Sequence, residues 1–147
     1  MINLQPSITP DLIMTADQVR LVRDSLDALH EDAEPFSLLF YGKLFELDPD
    51  SRRLFHNDLA VQGRKIMDML TSVAESLDDF EPMRARLAEL GRKHAQYGVR
   101  PEQYDTLTTA LLWSIGQALG PSFDVPTREA WWLAITAICT AMKAGLA

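Results

Sequence analysis

The stretch Leu87-Ala88-Glu89-Leu90-Gly91-Arg92-Lys93-His94-Ala95-Gln96-Tyr97-Gly98-Val99 decides how the chain is read. Met83, Leu87, Leu90 and His94 recur at steps of four, three and four, which places them on one face of a helix. That face is apolar until it reaches the histidine. Gly98, four residues further on, is a helix stop, so His94 lies close to the helix end. A neutral imidazole flanked by leucines is well placed to be buried and to bind something soft. A lone histidine of this kind is, however, more often simply packed or solvated, and the rest of the chain must decide.

Outward from this stretch the pattern stays helical. Thr15 with Gln18 three residues later is a capping-box signature. Val19, Val22, Leu26 and Leu29 continue a stripe to about His30. A second helix is expected from the acidic Glu31-Asp32-Ala33-Glu34-Pro35, with Phe36, Phe40, Lys43 and Leu44 on one side, ending before Pro49. Asp48-Pro49 opens a short turn of helix through Leu54 and Phe55, and His56-Asn57-Asp58 is a brief polar connection in which His56 is expected in solvent. Gln62, Ile66, Met69, Val73 and Leu77 form the next stripe, with Gln62 its one polar member. The turn Asp78–Pro82 leads into the helix of His94. Pro101 suits the first position of a further helix carrying Tyr104, Leu107, Leu111, Ile115 and Leu119. Gly120-Pro121 stops it, and Asp124 caps a last helix bearing Trp131, Ile135, Ile138 and Met142. No strand alternation and no hairpin turn interrupts this all-α pattern.

Composition bounds the function. A chain of 147 residues fits one domain, and a domain of this size buries about 68–70% of its unfolded surface, enough for a core that holds a cofactor. Residues 1–13, broken by Pro6 and Pro10, read as an N-terminal extension to a domain over 14–147. The net charge of −7 argues against nucleic acid or an anionic membrane as the main partner. Cys139 is the only cysteine, so no intrachain disulfide forms and a reducing cytoplasm is the natural setting. No Lys or Arg precedes Arg20 and no apolar run spans a bilayer, so neither a signal peptide nor a transmembrane segment is expected.

Most chemistry can be set aside. The chain has no Cys-x-x-Cys, no His-x-x-x-His, no glycine-rich phosphate loop and no recognisable nucleophile motif. Acidic pairs such as Asp78-Asp79 lie between helices and suit solvated turns. What remains is one helix-end histidine, single polar residues on two other helices, and an aromatic closing a proline turn. That is the inventory of a haem pocket.

From Thr15 onward the sequence resembles the globins. Asp48-Pro49 with Phe55 six residues after the proline resembles their proline corner and haem-stacking phenylalanine. Leu90-Gly91-Arg92-Lys93-His94 with Tyr97-Gly98-Val99 resembles the proximal segment of neuroglobin-like and single-domain bacterial globins, and Gln62-Gly63-Arg64-Lys65-Ile66 the distal helix. Arg100-Pro101-Glu102-Gln103-Tyr104 is similar to a helix start in flavohaemoglobins, and Leu119-Gly120-Pro121-Ser122-Phe123 with Ala130-Trp131 to the neuroglobin junction before the last helix. The short step from Phe55 to Gln62 is similar to that of the bacterial Hell's Gate type.

The resemblance implies a three-over-three helical sandwich around haem b. It makes His94 the proximal iron ligand, with its other ring nitrogen donating to the Leu90 carbonyl. Phe55 would stack on the porphyrin, and Tyr41 and Gln62 would donate to bound O2. Ile66 would wall the ligand, Lys65, and less firmly Arg92 and Lys93, would meet the propionates, and Val99 and Leu107 would touch the ring edge. Two departures limit the carry-over. Gln62 stands where neuroglobin has a histidine that can ligate iron. Leu146 stands where flavohaemoglobins carry a glutamate, so the electron-donating arrangement built on the tyrosine matched by Tyr104 is incomplete. Three functions stay open. They are tight reversible O2 binding (with CO and NO as further ligands), nitric oxide dioxygenation with an external flavin reductase, and a haem-free signalling module.

Overall fold

In the computed structural model, which describes residues 14–55 and 58–146, Thr15 opens the first helix as its spacing requires. The Thr15 hydroxyl accepts from the Gln18 N–H at 3.1 Å, and the Gln18 side chain accepts from the Thr15 N–H at 2.9 Å. Helix α1 then spans Ala16–Glu31 and buries Val19, Val22, Leu26 and Leu29. The second helix starts later than Glu31. Asp32 sits at φ −121°, ψ 39° with its N–H closing α1 on Leu29, so α2 spans Ala33–Leu47. On α2, Lys43 does not join the buried Phe36, Phe40 and Leu44. Its ammonium lies 4.8 Å from the Trp113 ring and pairs with Glu46.

Pro49–Leu54 forms a 3-10 turn, and Asp58 caps α3 (Leu59–Glu75) by accepting from the Ala60 N–H at 2.8 Å. His56 and the expected 1–13 extension lie outside the described residues. Helix α4 spans Glu81–Gln96, and Gly98, at φ +104°, ends the segment in the left-handed region that glycine tolerates best. Pro101 is not the first residue of the next helix. Gln103 and Tyr104 bond back three residues, to Arg100 and Pro101, and this tight turn delays α5 to Gln103–Leu119. The Gln103 amide also donates to Asp48 at 2.9 Å, tying the start of α5 to the proline corner. Asp124 caps α6 (Val125–Ala144) through the Thr127 N–H at 3.0 Å. No strand occurs among the described residues, and no helix is long and apolar enough to cross a membrane.

The helices form two crossed layers, with α1, α3 and α4 lying over α2, α5 and α6. Helix α4 packs on α6, α2 on α5 and α3, and α1 on α6 and α3. The interior is filled by residues such as Phe36, Leu111, Ile115, Trp131 and Ile135, each at most 1% exposed. One neighbouring pair breaks the pattern. Helices α3 and α4 share no extensive contact, which leaves a seam in the upper layer.

Candidate functional site

The seam has an apolar lining that the fold does not cover. Ile66 and Met69 on α3, Leu90 on α4, Val99 after it and Leu107 on α5 are only partly buried, though each packs against the core. Phe45, Phe55 and Leu59 belong to the same set. Toward the first turns of α4 the seam opens into a cleft of about 290 Å³ lined by Met69, Met83, Leu87 and Leu90, with exposed Asp68 and Arg86 beside them. Met69 and Leu90, one from each helix, are the half-buried apolar side chains that line this cleft.

His94 stands on the α4 wall. Its Nδ1 lies 2.9 Å from the Leu90 carbonyl oxygen, the hydrogen bond that the resemblance implied. A carbonyl can only accept, so Nδ1 carries the proton and Nε2 keeps its lone pair. No described residue bonds to Nε2. Burial lowers the imidazole's pKa, and the Leu90 carbonyl opposes this less strongly. The ring is therefore held neutral, in one tautomer, with a free soft donor.

Helix α2 and the end of the 3-10 turn share an aromatic cluster. Tyr41 is 1% exposed. Its ring meets Phe40 edge-on at 4.9 Å and Phe55 at 5.2 Å, and stacks on Phe45 at 6.0 Å. Phe45 and Phe55 meet at 5.6 Å. The Tyr41 hydroxyl bonds to no described group, yet it is not sealed in the way the Tyr104 hydroxyl is. Burial pushes its pKa well above the usual phenol value, so it stays a proton donor. Gln62, half-buried on α3, likewise has no side-chain partner among the described residues. The fold thus brings Tyr41 against Phe55 and His94 against Leu90, with Gln62 and Ile66 on α3.

Lys65 and Lys93 are exposed and make no ion pair among the described residues. Arg92 is engaged by Glu89 on its own helix, which removes it from the set of free cations. Tyr104 is buried with an unpartnered hydroxyl, and Leu146 offers it no acceptor. Sequence reasoning did not single out Phe45, Leu59 and Met69 as lining. Phe45 lies one turn beyond Tyr41, and Met69 continues the Gln62–Ile66 stripe, so spacing carried a signal for both.

A two-layer helical sandwich with an apolar seam, a pinned imidazole on one side and unpaired donors on the other defines a class of ligand-holding helical domain. The chain belongs to the globin family, whose profile matches residues 38–142. It is 26% identical to neuroglobin of Tetraodon nigroviridis, over 91% of this chain and 93% of that protein. It is 28% identical to neuroglobin-1 of Oncorhynchus mykiss over the same shares. A bacterial globin from Campylobacter jejuni superposes with a TM-score of 0.77 at 23% identity, covering 90% of this chain and 96% of that one. An engineered carbene transferase derived from a putative nitric oxide dioxygenase of Rhodothermus marinus matches with a TM-score of 0.77 at 26% identity, covering 91% and 95%.

Proposed function

We propose that this chain holds haem b in the α3–α4 seam and binds O2 reversibly and tightly. The observation that carries this reading is His94, whose Nδ1–H is fixed on Leu90 and whose Nε2 lone pair is unused, across from the unpaired Tyr41 hydroxyl. Haem would supply the reversible binding of a diatomic gas (O2, and also CO and NO) at its iron. His94 is the proximal ligand, and Leu90 fixes its tautomer. Phe55 offers an aromatic face to the ring, Val99 and Leu107 its apolar edge contacts, and Lys65 and Lys93 positive charge for the propionates. Ile66 excludes water beside the gas. Tyr41 and Gln62 donate hydrogen bonds and so favour the gas whose outer atom accepts better, O2 over CO. Gln62 is a poor ligand for iron, so the ferrous protein without gas is five-coordinate. A cytoplasmic setting is part of the same reading and rests on the single, buried Cys139.

A hydrogen bond to a charged acceptor contributes about 1.5–3 kcal/mol, and each 1.4 kcal/mol is tenfold in affinity. Tyr41→Phe therefore raises the O2 off-rate by roughly ten- to a hundredfold, with CO affinity within a few-fold. Gln62→Leu acts in the same sense but more weakly, and the two effects are not additive because both donors share one ligand. Stopped-flow release of O2 measures this. An off-rate unmoved by Tyr41→Phe removes the claim of tight binding.

The likeness to the Rhodothermus marinus protein supports a second reading, nitric oxide dioxygenation. There NO and O2 give nitrate, and an external flavin reductase supplies one electron per turnover. Sustained NO consumption with such a reductase, and none without it, separates this from O2 holding. The unused Nε2 and the Tyr41 donor both weigh against a haem-free signalling module.

A further inference from the structure

Helix α4 meets the end of α6 backbone to backbone. A Cβ on Gly91 would overlap the Met142 carbonyl, and a Cβ on Gly145 would overlap the Ala88 carbonyl. Gly91 is buried and lies three residues before His94, directly after Leu90, whose carbonyl holds the imidazole. The Met142 carbonyl is itself fixed, since it accepts from the Gly145 N–H at 3.1 Å. On its other side α4 borders the open seam, so nothing comparable holds it from α3. Other glycine contacts are softer. At Gly116 the nearest atoms belong to the Phe123 ring, at 3.0 Å, and a ring can turn aside.

We propose that Gly91 and Gly145 are positioning residues for His94: the two glycines seat α4 on the end of α6, and this contact sets how far the imidazole reaches into the seam. The inference rests on His94 being the iron ligand, but it concerns the helix seat rather than the haem. A side chain at either position lifts α4 off α6 by its middle or its last turns, carrying Leu90 and His94 together toward the seam. Residue 91 moves the ligand most, being one turn away, and residue 145 moves it less, because the last turn of the chain can give.

Gly91→Ala, Gly145→Ala and, as a packing control, Gly116→Ala are compared by thermal melting, by 15N NMR of the imidazole in haem-free protein, and by the ferrous iron–imidazole stretch in haem-loaded protein. The expected result is that both α4–α6 variants shift the His94 ring nitrogens and the stretch, with Gly91→Ala shifting them more. Gly116→Ala should leave both His94 signatures in place, whichever way it moves the melting temperature. Should Gly91→Ala not fold, Gly145→Ala decides alone. Signatures unchanged in the α4–α6 variants, or moved equally by Gly116→Ala, overturn the proposal. Wild-type protein that takes up no haem refutes the haem reading instead, and the haem-free NMR comparison still decides the positioning role.

Discussion

Two apolar regions of this chain have been finished to different standards. In the core shared by α1, α5 and α6, residues such as Leu29, Ile115 and Ile135 are fully enclosed. Trp131 is 1% exposed, and its indole N–H donates to Ser25 at 2.7 Å. Between α3 and α4 the apolar residues stop half-buried, and the polar groups among them (the Tyr41 hydroxyl, the Gln62 amide and His94 Nε2) have no described partner. A buried donor left unpaired costs stability. The contrast therefore separates residues that serve the fold from residues held ready for a ligand.

The widest gap between the regions is expected in packing. Ile135→Ala should cost about 2–5 kcal/mol in urea unfolding of haem-free protein, because a fully enclosed site cannot collapse. Leu90→Ala should cost about 1–2 kcal/mol, its side chain being only partly removed from water. Equal costs would mean the seam closes in solution. A smaller gap is expected in polar pairing. Trp131→Phe should lose roughly 1–3 kcal/mol by removing the indole bond to Ser25 and opening space, whereas Tyr41→Phe should stay within about 0.5 kcal/mol without haem, since no partner is lost.

The smallest effect is in pH. Burial lowers the pKa of His94 from 6.5, so on acidification the unfolded chain takes up this proton before the folded one does. Stability is then fully present above about pH 6.5 and falls below it, through the lowered folded value. His94→Gln should flatten that slope in haem-free protein. A slope unchanged by the substitution would show that the imidazole is solvated.

Much of this was legible because local rules and the fold agree. The capping box at Thr15, the Asp124 cap and the Gly98 stop depend on residues within four positions of each other, and spacing suffices for them, while the bond from His94 to Leu90 came from the resemblance. The starts of α2 and α5 slipped by two residues each because Asp32 and the Arg100–Pro101 turn divert hydrogen bonds into three-residue turns that periodicity does not register. The roles of Gly91 and Gly145 were not legible. A glycine inside a helical pattern shows only a missing side chain, and what it admits is set by a backbone some fifty residues away in sequence. The pairing of Arg92 with Glu89, three residues back on the same helix, is one that spacing does signal, whereas the unpaired state of Lys65 and Lys93 is not.

Haem uptake tests the central claim most directly. Haemin added to purified wild-type protein should bind one per chain with a Soret band, and the ferrous form without gas should be five-coordinate. His94→Ala should lose the iron–protein bond and most of the retained haem while the haem-free fold persists. A His94→Ala protein that binds haem with the wild-type spectrum and affinity would contradict the account, because the pinned imidazole would then not be what the seam is built around.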